Sequence, residues 1–417
     1  MTGRRTFLKA TSAAVVAAPM VPVSGADVKK RKRVAIVGAS WRREEPTMHL
    51  AERLVVGYPY AGKWQRPPVD IVAVCMQQRP DDDLTEACAA ECGFGIYPTV
   101  AAALRCGGTH LAVDGVLLVD AAVAGTSDRQ PRRGTKAGSL LRQVVDVFQQ
   151  EKRALPVFNY HQLAAGWDEA GGTSEPAQRL EFPLLAGSVL PVTWRLPALE
   201  LPLECVVEEA VIIGGAPDPA DYQALDALQC MVERRRGGET GIATMEVLRG
   251  DAVWRAAEQQ RWSHALLEAA LSRSDIMMGE NVHPKDMANN GELPRLVKSP
   301  AAYCIEYLDG LRATVLNFHG AVGDYTFAAR IQGTRQLQST QFLLPVHRAG
   351  LATSCLVQQI VEMLMTGTSP RPLERSQLVT GLWRRCRNAG GAGQPARGTP
   401  ELRIRYRAPH LSQFCQT

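Results

Sequence analysis

The sequence lacks a second long apolar run and a strong excess of charge of one sign. Its one continuous apolar run, near the N-terminus, is roughly 12 residues long, whereas about 20 are needed to cross a bilayer. The chain has 47 basic and 42 acidic residues, a formal net charge of +5. Three basic residues and no acidic ones lie within residues 1–26, which leaves 5 − 3 = +2 for the remainder. These values argue against a membrane anchor and give no support for nucleic-acid binding.

Several catalytic and metal-binding motifs are also missing. The chain has no Gly-x-Ser-x-Gly elbow, no Walker loop and no His-Glu-x-x-His segment. Its 10 cysteines are scattered, and Cys88 and Cys92 are not followed by a second pair at metal-ligand spacing. The segment "GENVHPKDM" offers one histidine and one aspartate, too few for a metal site. We therefore expect no bound metal and mostly free, buried thiols.

The N-terminus has the features of a twin-arginine export signal. Arg4 and Arg5 precede an apolar, alanine-rich run, and the small residues Ser24 and Ala26 suit cleavage after residue 26. The twin-arginine route carries folded proteins. We therefore expect residues 1–26 to be a signal peptide read by the twin-arginine translocation machinery, and the mature protein to be periplasmic or otherwise extracytoplasmic.

Residues 32–182 alternate short apolar runs with helical periodicity, which predicts a Rossmann-type, doubly wound parallel sheet. Apolar runs such as "GVLLV" (residues 115–119) are typical of strands buried on both faces. The predicted strands are Arg33–Gly38, Asp70–Met76, Gly95–Tyr97, Gly115–Val119 and Pro156–Phe158. The predicted helices are Pro46–Val56, Leu84–Cys92, Val100–Leu104 and Lys136–Gln150.

Residues 183–388 predict an α+β domain with a large open, mostly antiparallel sheet. Two alternating runs flank Asp309-Gly310, a strong hairpin signal. A helix is expected over Pro219–Arg234 with Asp218 as its cap. Residues 389–417 form a tail whose glycine-rich beginning, up to Thr399, is expected to be mobile.

Two longer segments are similar to one family. "LVQQIVEMLMTGTSPRPLERSQLVTGLW" resembles the closing helix-turn-helix of the Gfo/Idh/MocA oxidoreductases, and "DIVAVCMQQRPDDDLTEACAAECGFGIYPTVAAAL" resembles their second strand, helix and third strand. The resemblance covers most of residues 32–388. It implies a dinucleotide-binding domain for NAD or NADP, and a second domain that contacts a small carbohydrate-like substrate and often forms a homo-oligomer through its sheet. The family's glucose-fructose oxidoreductase is likewise exported by the twin-arginine route, with a tightly bound cofactor.

The phosphate turn departs from the usual dinucleotide pattern, which needs glycine at three places. Only Gly38, at the bend, is present, and the expected helix start at Pro46 leaves a loop of seven residues, 39–45. Arginine side chains could replace the missing amide cradle. The alternative is that they pair in solvent with Glu44 and Glu45. The candidate cofactor-binding residues of this turn are Gly38, Ala39, Ser40, Arg42 and Arg43.

The second strand should end in an acid that binds the adenosine ribose. It has Met76 where the family commonly has aspartate, followed by Gln77 and Gln78, either of which could still hydrogen-bond the ribose. Loss of that acid removes a charge that would repel a 2′-phosphate. The sequence therefore makes NADP at least as plausible a cofactor as NAD.

The resemblance also locates the candidate catalytic residues. The family's Glu-Lys-Pro segment corresponds to "YHQ" here, with Tyr160 at the glutamate and His161 at the lysine. His161 could accept a proton; the alternative is a structural histidine. The family's His-x-x-Asp motif corresponds to Gln223 and Asp226, one helical turn apart, and Gln223 could only orient a substrate.

Three functions fit these residues. The first is an exported NAD(P)-dependent oxidoreductase that acts on a sugar or a sugar-like alcohol or aldehyde. The second is a catalytically degenerate relative, without cofactor, that binds carbohydrate or serves in assembly. The third is a nicotinamide-assisted glycosidase.

Overall fold

The computed structural model describes residues 31–119, 138–163, 182–218, 220–275, 286–345, 349–390, 393–411 and 414–415. The signal expected in residues 1–26 lies outside the described residues. None of the helices in these ranges is both long enough and apolar enough to cross a membrane. None of the 10 cysteines is in a disulfide, and five of them are buried.

The first half of the chain forms a six-stranded parallel sheet with helices on both faces. Its elements are β1 (Lys32–Gly38), α1 (Pro46–Val55), the hairpin β2 (Tyr58–Tyr60) and β3 (Lys63–Gln65), β4 (Val69–Met76), α2 (Thr85–Cys92), β5 (Gly95–Ile96), α3 (Val100–Leu104), β6 (Gly115–Val119), α4 (Gly138–Glu151), β7 (Val157–Tyr160) and β8 (Leu184–Gly187). The strand order is β5-β4-β1-β6-β7-β8, the arrangement of Rossmann folds. The predicted Rossmann-type sheet is confirmed.

The sixth strand, β8, lies beyond residue 182, the predicted end of the first domain. Its backbone pairs in parallel with β7, from Val157 opposite Leu184 to Tyr160 opposite Gly187. All four of its residues are buried. The sheet therefore continues past the expected boundary, because β7 would otherwise leave its outer hydrogen-bonding edge unpaired in the core.

Alternation along β1 determines which helices cover which face. Val34 and Ile36 lie in one apolar cluster with Leu50 of α1, whereas Ala35 and Val37 lie in another with residues of α3 and α4. Successive side chains of a strand point to opposite faces, so one short run supplies both layers.

The second half forms an eight-stranded mixed sheet. Its elements are β9 (Trp194–Leu196), β10 (Val207–Gly214), α5 (Tyr222–Val232), β11 (Ile242–Arg249), α6 (Asp251–Glu258), α7 (His264–Leu271), α8 (Leu293–Leu296), β12 (Ala301–Tyr307), β13 (Arg312–Asn317), β14 (Tyr325–Ile331), β15 (Gln338–Leu343), α9 (Ala349–Thr366), α10 (Leu373–Asn388) and β16 (Gln394–Gly398). The order is β16-β11-β12-β13-β10-β14-β15-β9. Only β10 and β13 pair in parallel, so the predicted mostly antiparallel sheet is confirmed.

The first helix of this half begins later than predicted. Helix α5 starts at Tyr222, and its cap is Asp221, whose side chain accepts a hydrogen bond from the Ala224 amide at 3.1 Å. Asp218, the expected cap, accepts from the Ala220 amide at 2.8 Å instead. The prediction of Asp218 as cap was wrong because its carboxylate forms a turn with the residue two positions ahead, a common use of aspartate outside helices.

The expectation of a mobile glycine-rich tail is also corrected. Residues of β16 pair with β11 as an edge strand, and the Thr399 hydroxyl donates to the Ile242 carbonyl at 2.9 Å. Farther on, the Tyr406 hydroxyl donates to the buried Glu233 at 2.9 Å. These described residues of the tail are paired because β11 would otherwise be an unpaired edge, and because Thr399 and Tyr406 find buried partners.

The last two helices join the halves. Helix α9 packs on α1, where Arg53 Nε donates to Ser354 Oγ at 3.2 Å. Helix α10 lies between α5 and β8, and Ser376 Oγ donates to the Ala186 carbonyl at 2.8 Å. The start of α10 is thereby placed beside the carboxyl end of the parallel sheet.

Candidate functional site

The carboxyl ends of parallel strands are where doubly wound sheets bind ligands. The strands of the first sheet run in one direction, so their ends lie along one edge. The residues at the ends of β1, β4, β6, β7 and β8 are Gly38, Met76, Val119, Tyr160 and Gly187. The candidate cofactor turn and the candidate catalytic residues of the "YHQ" segment therefore lie on the same edge.

Gly38 ends β1 where no larger residue fits. A Cβ added there would lie 2.8 Å from the backbone oxygen of Val119 and 3.5 Å from the sulfur of Met76. The Ala39 amide donates to the same Val119 oxygen at 3.1 Å. Glycine therefore lets the chain pass close to β6 as it enters the turn.

The turn after Gly38 is packed against the segment that follows β4. The Trp41 ring is buried and stacks on Phe94, with 5.4 Å between the ring centroids. Its amide donates to Asp83 Oδ2 at 3.3 Å. Since the Ala39 and Trp41 amides both have partners within the protein, they are not free to form the usual amide cradle for a phosphate.

The two arginines of the turn differ in their surroundings. Arg42 Nε donates to both carboxylate oxygens of Asp82, at 2.7 and 2.8 Å, and Arg42 also lies 3.6 Å from Glu45. Hydrogen bonding to Asp82 raises the pKa of Arg42. Arg43 is exposed. The ion-pair alternative thus holds for Arg42, with Asp82 as its main partner.

The N-terminus of α1 has no side-chain cap. Glu45 occupies the cap position, but its side chain makes no hydrogen bond to the helix amides and instead accepts one from Ser40 Oγ at 2.9 Å. Pro46 follows, which has no amide hydrogen. The remaining amides of the first turn, with the helix dipole, can interact with an anion.

Gln77 lies at the position expected for the ribose contact. It follows Met76 at the end of β4, its side chain is exposed, and its amide donates to the Gly38 carbonyl at 2.9 Å. The side-chain amide is therefore available to a ligand that runs along this edge from the turn.

Tyr160 and His161 lie together at the end of β7. Their rings stack with 4.2 Å between centroids, and the Tyr222 ring of α5 is 5.7 Å from the imidazole. The His161 amide donates to the Gly187 carbonyl at 2.9 Å, and its φ is +65°. His161 therefore occupies a left-handed backbone conformation, uncommon for a residue with a side chain, between the two domains.

The His161 imidazole is poised as a neutral group. Its Nε2 is buried and makes no hydrogen bond to any residue in the described ranges. Burial lowers the pKa of His161 to about 4, a shift that the nearby Asp226 opposes. Burial raises the pKa of the adjacent Tyr160 to about 12, so both rings are neutral near pH 7.

The carboxylate of Asp226 is already paired with groups of the protein. Its Oδ2 accepts from both the amide and the hydroxyl of Ser188, each at 2.8 Å, and its Oδ1 lies 3.3 Å from Arg375 Nη2. Its carboxylate therefore holds α5 against the end of β8. Gln223, on the same helix, is half-buried.

Two buried arginines at this place were not singled out from the sequence. Arg375 lies between Asp226 and Glu233, at 3.3 and 3.4 Å. Arg371 is only 3% exposed, yet none of its guanidinium nitrogens has a hydrogen-bond partner among the described residues. The only signal was the pair of arginines four residues apart in "RPLER", in a segment interpreted as a turn and a helix start.

Comparison with solved structures identifies the architecture. GenD2 from gentamicin A biosynthesis, solved in complex with NAD, matches over 90% of this chain and 99% of its own at 13% identity and a TM-score of 0.52. The chain has the Gfo/Idh/MocA fold. A probable dehydrogenase from Thermotoga maritima matches over 85% of this chain and 96% of its own, at 13% identity and a TM-score of 0.50.

At these identities the similarity establishes the fold and leaves the chemistry to the residues. No family model and no curated protein sequence matches the chain. The residues that the fold brings to the strand edge are therefore the basis for assigning a function.

Proposed function

We propose that this chain is an NAD(P)-dependent oxidoreductase that transfers a hydride between the nicotinamide and a sugar or sugar-like alcohol or aldehyde. The observation that carries the proposal is His161: a neutral imidazole with an unpartnered buried Nε2 among the described residues, at the end of β7 and facing α5. In this fold the position lies at the ligand-binding edge of the sheet, beneath the second domain.

The strand edge fits a dinucleotide, with one change from the usual turn. Gly38 allows the close approach to β6, and the uncapped N-terminus of α1 can face a phosphate. In place of the Ala39 and Trp41 amides, Arg42 and Arg43 would meet the diphosphate charge. Arg42 would have to leave Asp82, and an exposed ion pair of this kind contributes little to stability.

The end of β4 favours NADP over NAD. Met76 and Gln77 stand where an acid would bind both ribose hydroxyls, so the charge that would repel a 2′-phosphate at that position is missing. When bound, the cofactor supplies the carbon that accepts or donates the hydride.

His161 would handle the proton. A pKa near 4 keeps its ring neutral at pH 7, so that Nε2 can accept the proton of a substrate hydroxyl as the hydride leaves the neighbouring carbon. Tyr160 holds the imidazole by stacking, and Gln223 would orient the substrate. Asp226 acts as a positioning residue, since it holds α5 over the site through Ser188.

We further propose that the protein folds around its cofactor in the cytoplasm and is exported by the twin-arginine route, and that it forms a homo-oligomer through its second sheet. The N-terminal sequence supports export, because a folded precursor can carry a bound nucleotide with it. The exposed edge residue Leu196 of β9 supports a contact along that edge. Light scattering of the purified chain measures the oligomeric state.

A second candidate is a relative that binds carbohydrate without turnover. It is favoured by the acids around the phosphate turn, since Glu45, Asp82 and Asp83 all contact turn residues, and their charge opposes a diphosphate.

Activity with a cofactor separates the two candidates. The full chain is incubated with NAD or NADP and a panel of aldoses, polyols and sugar acids, and the nicotinamide absorbance is followed. The oxidoreductase assignment requires turnover that His161→Asn abolishes while cofactor affinity is kept. Sugar binding without nucleotide binding would support the second candidate.

A further inference from the structure

The two buried arginines at the domain junction differ in whether they have partners. Arg375 is paired with both carboxylates of the cluster, Asp226 and Glu233. Arg371, four residues earlier, is as deeply buried but has no acceptor for any of its N–H groups within the described part of the chain. A buried guanidinium without hydrogen bonds is costly, and native structures nearly always supply an acceptor.

Arg371 is held in this position by the backbone around it. The Ser369 hydroxyl donates to the Arg371 carbonyl at 2.8 Å, and Pro372 occupies the N-cap position of α10 directly afterwards. Gly187 makes room for the guanidinium, because a Cβ on Gly187 would lie 3.2 Å from Arg371 Nη1 and 3.2 Å from Asp226 Oδ2. The fold therefore fixes the Arg371 guanidinium at a place where it has no hydrogen-bond partner among the described residues.

Arg371 also adjoins the proposed reaction site. Gly187, which it approaches, accepts the hydrogen bond of the His161 amide at 2.9 Å. Tyr222, whose ring is 5.7 Å from the imidazole, is one of the groups that interact electrostatically with Arg371. Gly187 and Tyr222 are therefore neighbours of both Arg371 and His161.

Arg371 remains charged at neutral pH. Burial, followed by the nearby Arg375, lowers the pKa of Arg371 to about 10, still well above 7. Among the described residues, the Arg371 guanidinium therefore has no acceptor for its planar fork of donors. A carboxylate matches that fork through two parallel hydrogen bonds.

We propose that Arg371 binds a carboxylate on the substrate, so that the enzyme acts on a sugar acid rather than a neutral sugar. This assignment rests on the proposed function for the reaction itself, whereas recognition of the carboxylate is a binding property and can be measured without cofactor. A carboxylate suits the site better than a phosphate, because Asp226 and Glu233 stand close to Arg371 and would repel a second negative charge.

Matched sugars test the proposal on the full chain. D-Glucuronate, D-galacturonate and D-mannuronate are each compared with the parent aldose, which differs only in having a hydroxymethyl group in place of the carboxylate. Binding is measured by calorimetry and by thermal shift, with and without NADP. At least one uronate should bind about tenfold or more tightly than its parent, the size of effect expected for a charge-assisted pair.

Substitutions assign the effect to Arg371. Arg371→Gln should remove the preference for the uronate, Arg371→Lys should retain part of it, and Arg236→Gln, at an exposed arginine, should leave it unchanged. If Arg371→Gln does not fold, Arg371→Lys carries the comparison, because a lysine cannot form the two parallel bonds and must weaken uronate binding.

Three results would overturn the proposal: no uronate binding more tightly than its parent, an unchanged preference in the Arg371 variants, or inorganic phosphate binding more tightly than every uronate. None of these depends on turnover. Failure of the oxidoreductase assignment would instead appear as a lack of NAD(P) binding or reduction with uronate binding intact.

Discussion

Ser188 donates two hydrogen bonds to one oxygen of Asp226, from its amide and from its hydroxyl, each at 2.8 Å. Ser188 directly follows β8 of the parallel sheet, and Asp226 lies in the first helix of the second domain. The same carboxylate lies 3.3 Å from Arg375 of α10. The Asp226 side chain therefore links the end of β8, α5 and α10 at the edge of the sheet near His161 and Arg371.

Asp226→Asn should destabilise the protein by about 3–5 kcal/mol, because it leaves the buried Arg375 with a single carboxylate partner. Ser188→Ala, which removes one hydrogen bond and no charge, should cost only about 1 kcal/mol. Urea denaturation of the two variants and the wild type measures both values. Equal losses of stability for the two variants would mean that the ion pair between Asp226 and Arg375 adds nothing beyond the Ser188 hydrogen bond.

His161 should make stability depend on pH in one window. Its pKa is about 4 in the folded protein and 6.5 in a free side chain, so the unfolded chain binds more protons between these values. The contribution of the neutral imidazole to the free energy of unfolding should therefore be complete above pH 6.5. It should be lost progressively as the pH drops from 6.5 towards 4. Asparagine is the suitable replacement, because it tolerates the φ of +65°.

The comparison is between wild type and His161→Asn, both unfolded in urea across this pH window. Other titrating groups contribute equally to the two proteins, so the difference isolates His161. The variant should lose less stability than the wild type as the pH falls. Parallel curves would show that the imidazole is solvated and not buried.

Arg42→Ala should weaken NADP binding, and Asp82→Asn should strengthen it, because Asp82 competes with the phosphate for Arg42. Arg31 and Asp70 form a matched exposed pair, at 2.8 Å, at the opposite end of β1. Arg31→Ala and Asp70→Asn should therefore leave the NADP affinity unchanged. The changes at Arg42 and Asp82 should shrink at high salt.

Titration of NADP into the four variants by fluorescence gives the affinities. Opposite changes in NADP affinity for the Arg42 and Asp82 variants, with unchanged affinity for the Arg31 and Asp70 variants, would place the diphosphate at the turn. A loss of affinity for Asp82→Asn would refute the competition between Asp82 and phosphate.

Gly38→Ala should destabilise the protein by about 1–3 kcal/mol, since its Cβ would meet backbone rather than a movable side chain. The contact is the Val119 oxygen at 2.8 Å. Gly398→Ala is the control, because the nearest atom to a Cβ there is the Ala243 oxygen, 4.0 Å away. Calorimetric unfolding of both variants checks the difference, and equal melting temperatures would contradict the close approach.

The sequence predicts the parallel sheet well because each central strand is an apolar run between helices. Strand β8 was missed, since "LLAG" is short and its pairing with β7 becomes evident only when the sheet is assembled. The Asp309-Gly310 hairpin was predicted correctly: Leu311 donates to Asp309 Oδ1 at 3.3 Å, and Gly310 has a φ of +91°.

The site is less predictable because its properties depend on tertiary contacts. Asp226 was singled out by the resemblance to the family's His-x-x-Asp motif. Its partner Ser188 follows a strand of the other sheet, and nothing local shows that the carboxylate oxygens already have partners. Arg371 in "SPRPLER" looks like a solvated turn residue. Its burial depends on α10 packing against α5 and β8, which no local pattern specifies.

Binding of a nicotinamide cofactor by this protein is measured most directly as the nucleotide content of the purified chain. The full chain is folded in the cytoplasm, purified without added nucleotide and denatured, and the supernatant is analysed by mass spectrometry. We expect NADP or NAD in the supernatant, and a rise in melting temperature when either is added to stripped protein. Nucleotide-free protein that shows no thermal shift with either cofactor would contradict cofactor binding.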